Sequence, residues 1–208
     1  MTRVKVCGIT NLADALAALE AGADMLGFNF YARSPRYIEP AEARRIIEHL
    51  PDRISSVGVF VNESAPAEVE RIAREAGLGA VQLHGDETPE YCQSLRGLTT
   101  IKALRVGADF SVESAAAYQT DAVLLDAYVA GERGGTGHTF DWTLATLTRE
   151  RVPKLFLAGG LNPGNVAAAV AAVRPYAVDV CSGVETAPGR KSPELIRRFV
   201  EQVKSSRQ

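Results

Sequence analysis

The chain has 208 residues, of which 46% are hydrophobic and 23% charged, and its formal net charge is −2. These values fit one globular domain spanning residues 1–208, because an α/β chain of this size can bury a complete core. No apolar stretch approaches the ~18 residues of a membrane helix, and the interspersed acidic and basic residues do not favour binding to nucleic acid or to a membrane.

The cysteines and the N-terminus bear on where the protein works. Cys7, Cys92 and Cys181 are too few and too scattered for a disulfide framework or a metal cluster. The first residues run straight into a predicted strand and show no signal-peptide pattern. We therefore expect a cytoplasmic protein.

Eight short apolar runs alternate with amphipathic stretches along the chain. The runs are rich in Val, Ile, Leu and Phe, which is typical of parallel strands covered on both faces. The predicted strands are 3–7, 24–28, 56–61, 80–83, 100–104, 122–126, 154–158 and 177–181.

Helices are predicted between these strands from capping and helix-breaking residues. Gly22, Pro51 and Gly77 mark the ends of the first three. The predicted helices are 12–21, 40–50, 65–76, one opened by Thr88-Pro89, a short fifth within 111–120, one near Trp142, one opened by Asn162-Pro163, and 193–204 after the N-cap Ser192.

Eight βα units at this spacing predict a single-domain (β/α)₈ barrel, which would be compact for a fold that typically takes ~250 residues. A doubly wound open sheet is the alternative, and it is less favoured because no edge strand is evident. Strand alternation places Lys5 and Cys7 on one face of strand one, and Asp179 and Cys181 on one face of strand eight. In a closed barrel these strands are neighbours, so Lys5 and Asp179 are predicted to pair inside it, as core-lining polar residues.

In such barrels the functional site lies at the carboxyl ends of the strands. Cys7, His84, Asp126 and Ser182-Gly183 all fall there. A thiol and a carboxyl in one pocket can act as base and acid. Each has an ordinary alternative: a lone cysteine is often a small buried hydrophobe, and His84 can simply bond a loop carbonyl. Asp126 is stronger evidence, because an unpaired aspartate closing an apolar strand is costly.

The turns after strands seven and eight contain Gly159-Gly160 and Ser182-Gly183. Small residues let backbone N–H groups approach an anion, and these two loops are the usual phosphate cradle of a barrel. We therefore expect a small phosphorylated substrate, although the glycines can also serve only to make tight turns.

Two other loops are candidates for the pocket wall. The loop after strand six is glycine-dense over 131–138 and is either a mobile lid or a plain flexible loop. The loop after strand two carries Arg33 and Arg36, and an arginine fork binds carboxylates, although a loop arginine is more often merely solvated.

Together these segments resemble the phosphoribosylanthranilate isomerase family of tryptophan biosynthesis over essentially the whole chain. The resemblance rests on motifs in chain order: KVCGIT from Lys5, SPRYI from Ser34, GVFVN from Gly58, VQLHG from Val81, LDA from Leu125, GGTG from Gly134, FDW from Phe140, AGGL from Ala158 and VCSGVE from Val180. It implies a (β/α)₈ barrel that catalyses an Amadori rearrangement without a metal or an organic cofactor.

The resemblance also implies roles for single residues. Asp126 matches the general acid that opens the furanose ring, and Cys7 the general base that removes the C2 proton. Arg36 matches the residue that holds the anthranilate carboxylate, and His84 lines the anthranilate side. The resemblance implies that the phosphate is bound by backbone groups around Gly159, Gly160, Ser182 and Gly183. We further expect a monomer.

One position departs from the family pattern, and two other functions stay open. Position 181 is commonly serine in this family and is Cys181 here, either as a neutral replacement, which we expect in a reducing cytoplasm, or as half of an oxidation-sensitive pair with Cys7. One alternative function is a related isomerase of histidine biosynthesis, or a dual-substrate version. The other is a barrel that binds a phosphorylated ligand without turning it over.

Overall fold

In the computed structural model, which describes residues 1–95, 97–107, 110–126 and 142–206, eight parallel strands form a closed barrel in chain order. The strands are β1 (Arg3–Cys7), β2 (Met25–Asn29), β3 (Ser55–Phe60), β4 (Ala80–Leu83), β5 (Thr99–Arg105), β6 (Ala122–Asp126), β7 (Leu155–Ala158) and β8 (Ala177–Val180). The predicted (β/α)₈ barrel is confirmed, and the open sheet is excluded because β8 pairs with β1.

A helix follows each strand. The helices are α1 (Leu12–Ala21), α2 (Pro40–Ile47), α3 (Pro66–Ala76), α4 (Pro89–Ser94), α5 (Val112–Ala116), α6 (Trp142–Arg149), α7 (Val166–Val173) and α8 (Pro193–Ser205). The fifth helix is short, as predicted, with five residues. Gly22 and Gly77 end their helices with φ of 92° and 74°, a left-handed conformation that glycine adopts without strain.

Helix α7 begins later than the sequence pattern predicts. We expected Asn162-Pro163 to open it, but the first helical residue is Val166. The Asn165 side chain accepts a hydrogen bond from the Asn162 N–H at 2.8 Å, and the Asn162 side chain accepts one from the Gly164 N–H at 2.8 Å. These asparagine turns hold residues 162–165 outside the helix, because side-chain acceptors replace the helical carbonyls.

Two apolar layers explain why the strands read as nearly continuous hydrophobic runs. One face of each strand packs against the surrounding helices, and the other packs inside the barrel. The interior layer consists of Met25, Val57, Ala80, Ile101, Ala103, Ala122, Leu124, Phe156, Ala158 and Ala177. Lys5 and Asp179, paired in register on β1 and β8, belong to this inner face.

A small antiparallel ribbon follows β8 and was not predicted. A single 3₁₀ turn (Ser182–Val184) leads into β9 (Glu185–Ala187), which pairs with β10 (Arg190–Lys191). The Thr10 hydroxyl donates to the Gly189 carbonyl at 2.7 Å, and the Asp14 carboxylate accepts from the Lys191 N–H at 2.9 Å. These bonds fix the ribbon beside the end of β1.

Candidate active site

A cavity of about 270 Å³ opens at the carboxyl ends of the strands. All of the site residues predicted from the sequence line it, namely Cys7, Arg36, His84, Asp126, Gly159, Gly160, Ser182 and Gly183. Arg33, the other arginine of the β2 loop, is exposed and does not line the cavity. A more open cavity of about 430 Å³ lies at the amino ends of β5 to β7 and contains none of the predicted residues.

Cys7 ends β1 and carries an activated thiol. Its side chain is buried at the base of the cavity, 8% exposed. A hydrogen bond from Cys181 and the positive charges of Lys5 and Lys191 lower the pKa of Cys7 well below its ordinary value, although burial opposes them. A thiolate is the form of cysteine that accepts a proton or attacks an electrophile.

Cys181 lies beside Cys7 because of the β1–β8 register. Val6 pairs with Val180, so Cys7 at the end of β1 and Cys181 just past the end of β8 are the next residues along neighbouring strands. The hydrogen bond to Cys7 and burial raise the pKa of Cys181 well above its ordinary value, so this thiol keeps its proton. Both thiols are free. That Cys181 is a neutral replacement for serine stays a prediction.

Lys5 and Asp179 form the predicted ion pair inside the barrel. Lys5 Nζ lies 3.0 Å from Asp179 Oδ1, and both side chains are buried. Burial would lower the pKa of Lys5, but Asp179 and Cys7 raise it. Burial raises the pKa of Asp179 to about 6 even though Lys5 opposes the shift. The pair thus places a permanent positive charge directly beneath the Cys7 thiol.

Asp126 ends β6 and contacts the histidine of β4. Asp126 Oδ2 lies 3.2 Å from His84 Nε2, and His84 Nδ1 lies 2.8 Å from Gln82 Nε2. Gln82 also lines the cavity. Sequence reasoning named Asp126 and His84 but missed Gln82, which stands two residues before His84 on the same strand face.

A buried ion pair holds the loop that carries His84. Lys102 Nζ lies 2.7 Å from Glu87 Oε2 and donates to the Gly85 carbonyl at 2.7 Å. Glu87 accepts in turn from the backbone N–H groups of Asn62 and Gly85. His84 therefore stands on a fixed loop, since Lys102 ties this loop to β5 and the Asn62 N–H ties it to the turn after β3.

Arg36 lines the cavity and is held by a bidentate ion pair with the ribbon. Arg36 Nε and Nη2 donate to Glu185 Oε1 and Oε2 at 2.9 and 2.7 Å. Lys191 Nζ lies 2.8 Å from Glu185 Oε1 and 3.8 Å from Cys181 Sγ. The hydrogen bonds that Arg36 donates to Glu185 raise the pKa of Arg36, so the guanidinium stays charged. The sequence held no signal for Lys191, because the ribbon itself was not predicted.

The two glycine turns after β7 and β8 meet at the opposite side of the cavity. Gly159 and Gly160 have φ of 87° and 63°, in the region that other residues rarely adopt. A side chain at Gly183 would overlap the carbonyl oxygen of Leu161. The two turns therefore pack backbone against backbone, as a cradle for an anion requires.

The glycine-dense segment 131–138, predicted as a lid or flexible loop, lies outside the described residues. Within the described part of the chain, no cluster of three or more His, Cys, Asp or Glu side chains is arranged to hold a metal ion. None of the helices in that part is long and apolar enough to cross a membrane.

A closed parallel barrel with a cysteine, a carboxyl and a glycine cradle around one cavity at the strand ends defines a class: the (β/α)₈-barrel enzymes. Comparison with known proteins narrows this class. Residues 4–202 match the family model described as PRAI, N-(5'phosphoribosyl)anthranilate (PRA) isomerase.

Relatives of this family match the chain end to end. It is 51% identical over 206 residues to the N-(5'-phosphoribosyl)anthranilate isomerase of Trichlorobacter lovleyi, covering 99% of this chain and 100% of the relative. The crystal structure of phosphoribosyl anthranilate isomerase from Thermotoga maritima superimposes with a TM-score of 0.92 at 48% identity, covering 99% and 100% of the two chains. A structure of such an isomerase with reduced 1-(o-carboxyphenylamino)-1-deoxyribulose 5-phosphate superimposes at 0.89 with 46% identity and the same coverage. The chain belongs to the N-(5'-phosphoribosyl)anthranilate isomerase family and is an isomerase of tryptophan biosynthesis.

Proposed function

We propose that this chain converts N-(5-phosphoribosyl)anthranilate into 1-(2-carboxyphenylamino)-1-deoxyribulose 5-phosphate, with Asp126 as general acid and Cys7 as general base. The observation that carries the proposal is the position of these two side chains, on β1 and β6, in the wall of one cavity. Family membership supports the choice of substrate. The reaction moves protons and leaves the total oxidation state of the substrate unchanged, so these two groups suffice without a metal or an organic cofactor.

The acid acts first. Asp126 gives a proton to the furanose ring oxygen, the C1–O bond breaks, and the nitrogen lone pair forms a Schiff base at C1. The carboxylate that remains on Asp126 is 3.2 Å from His84 Nε2 and can be stabilised there. Proton transfer by a positioned group of this kind typically contributes ~10²–10⁴-fold to a rate.

The base acts second. The Cys7 thiolate removes the proton from C2, and the electron pair of that bond moves toward the iminium nitrogen to give an enolamine. Tautomerisation of the enolamine yields the aminoketose product. Lys5, Lys191 and the Cys181 thiol favour the thiolate, because they lower the pKa of Cys7.

Substrate binding uses both ends of the cavity. Arg36 pairs with the anthranilate carboxylate, using guanidinium N–H groups that Glu185 leaves unoccupied. His84 lines the anthranilate side. The phosphate is bound by backbone N–H groups around Gly159, Gly160, Ser182 and Gly183.

Three further properties belong to this proposal. Residues 1–208 form one domain, and the chain works as a monomer, since its exposed large hydrophobic side chains among the described residues are only Met1, Leu16 and Leu147. The Thermotoga maritima isomerase is described as dimeric, so light scattering of the purified chain is the test. A cytoplasmic location fits two free thiols in contact, because disulfides form readily in oxidising compartments.

The loss of phosphoribosylanthranilate, followed spectroscopically, tests the function. Rapid turnover supports it, and tight binding without turnover would indicate a sensor of the phosphorylated ligand. Turnover of the aminoaldose of histidine biosynthesis, assayed in parallel, would indicate a dual-substrate enzyme. A crystal soaked in sulfate tests the cradle: we expect an anion between the turns after β7 and β8, and an anion bound only elsewhere would contradict the assignment.

A further inference from the structure

Gln82 is a buried polar residue of the cavity that the roles above do not use. It lies on β4, is 1% exposed and lines the cavity together with His84 and Asp126. Its amide nitrogen Nε2 reaches His84 Nδ1 at 2.8 Å, and its amide oxygen Oε1 is buried with no hydrogen-bond partner among the described residues. A buried amide oxygen without a partner destabilises the fold, so a residue needed only for packing would be better apolar.

The chemistry of the amide decides where the proton of His84 sits. An amide NH₂ group only donates, so it requires an acceptor at Nδ1. A neutral imidazole that accepts at Nδ1 carries its proton on Nε2. That N–H faces Asp126 Oδ2 at 3.2 Å, so His84 donates to this oxygen of Asp126.

We propose that Gln82 is a positioning residue: by fixing the Nε2–H tautomer of His84, it occupies Asp126 Oδ2 and confines the acidic proton of Asp126 to Oδ1. The inference rests on the proposed role of Asp126 as general acid. With Oδ2 accepting from His84, the carboxyl proton sits on the other oxygen, which is left to face the substrate. When Oδ1 gives up this proton, the same hydrogen bond stabilises the carboxylate.

Surrounding contacts keep this chain of three side chains in place. Glu87 and Lys102 fix the loop at Gly85, directly after His84. In the barrel interior, Gln82 stands opposite Val59 of β3 and Ile101 of β5. These neighbours offer no polar side chain that would replace Nδ1 as the partner of the amide nitrogen.

Long-range proton–nitrogen NMR of the purified chain tests the tautomer directly. The sequence has three histidines, His49, His84 and His138, so comparison with His84→Gln identifies the signal. We expect a protonated Nε2 and a bare Nδ1 in the wild type. In Gln82→Glu, whose carboxylate accepts from Nδ1–H, the proton should move to Nδ1. A wild-type Nδ1–H tautomer, or the same tautomer in both proteins, would overturn the proposal.

Kinetics separate positioning from packing. Gln82→Met conserves volume and removes the amide, and we expect kcat to fall about tenfold or more with little change in KM, since only proton placement is lost. Equal kcat in Gln82→Met and the wild type would also overturn it. The NMR result needs no activity, so it holds even if phosphoribosylanthranilate is not the substrate. If instead Gln82 proves not to fix the His84 tautomer, the proposed reaction is unaffected.

Discussion

Arg36 and Glu185 form a two-point ion pair, with Nε–Oε1 and Nη2–Oε2 distances of 2.9 and 2.7 Å, that aims the guanidinium into the cavity. The Glu185 side chain is 5% exposed and also bonds the fully buried Lys191, so the carboxylate is fixed from both sides. The guanidinium N–H groups of Arg36 that do not bond Glu185 therefore face the cavity in one orientation. A fork held in this way binds a planar carboxylate with less loss of side-chain entropy.

We predict that Glu185→Gln raises KM for phosphoribosylanthranilate about tenfold, equivalent to about 1.4 kcal/mol, while kcat changes less. The amide has one accepting oxygen and an NH₂ group that only donates, so Arg36 loses its two-point alignment but keeps its charge. Steady-state kinetics with parallel urea unfolding measures this.

Glu201→Gln is the matched control, because its partner Arg197 is on the surface and such pairs contribute ~0–1 kcal/mol. An unchanged KM in Glu185→Gln would show that the ribbon does not orient Arg36.

Cys181 is expected to control the reactivity of Cys7. Removing its hydrogen bond in Cys181→Ala should raise the pKa of Cys7 toward its ordinary value, so less thiolate is present at neutral pH. A hydrogen bond to a charged group of about 1.5–3 kcal/mol corresponds to a rise of about 1–2 pH units in the midpoint of alkylation by iodoacetamide.

Cys92 provides the internal control for this titration. It is buried, and burial raises its pKa to about 11, so it should stay unmodified in both proteins. An identical alkylation midpoint in the wild type and Cys181→Ala would mean that the second thiol has no influence on the first.

Replacing one member of the Lys5–Asp179 pair should destabilise the fold more than replacing both members. Lys5→Met or Asp179→Leu alone leaves one buried charge without its partner, which typically costs about 3–5 kcal/mol of unfolding free energy. The double variant should lose less than either single variant, because no unpaired charge remains. Urea unfolding of the four proteins gives the coupling energy, and additive losses would contradict a buried ion pair.

The same pair predicts a pH dependence of stability. Burial raises the pKa of Asp179 from 3.8 to about 6, so the folded state binds this proton more tightly than the unfolded state does. The stability that the protonated carboxyl contributes is full below pH 3.8 and is lost as the pH rises through about 6. The difference in unfolding free energy between the wild type and the double variant should therefore shrink across this interval as pH rises, and a flat difference would argue against the raised pKa.

The contact between the two glycine turns can be tested at Gly183. A methyl group there overlaps the Leu161 carbonyl oxygen, so Gly183→Ala must push the two turns apart. We expect weaker competitive inhibition by inorganic phosphate and a higher KM, together with some loss of thermal stability. Gly79→Ala is the control, since a methyl group at Gly79 meets nothing within 4 Å. Unaltered phosphate inhibition in Gly183→Ala would contradict the assignment of the phosphate site to these two turns.

Much of this site could be predicted because it depends on strand ends. Cys7 and Asp126 close apolar strands, so the barrel alone brings them to one edge, and strand alternation with β1–β8 closure predicted Lys5 beside Asp179. The start of α7 was predicted too early, because asparagine side chains can replace the first helical hydrogen bonds.

The remaining residues depend on contacts that no local pattern reports. Glu185 and Lys191 reach Arg36 only through a ribbon of three and two residues, which is too short for period-two alternation to be recognised. In the sequence, Gln82 is an ordinary polar residue within a strand. Its contact with His84, and through His84 with Asp126, is visible only in the structure.

Turnover of phosphoribosylanthranilate by Cys7→Ala and Asp126→Asn, beside the wild type and Cys92→Ala, tests the acid–base assignment most directly. We predict that each site variant loses at least ~10²-fold in kcat while its unfolding transition and substrate affinity stay near those of the wild type, because each loses only a proton-transferring group. Cys92→Ala, which changes a buried thiol outside the cavity, should turn over normally. Near-normal turnover in either Cys7→Ala or Asp126→Asn would contradict the role given to that residue.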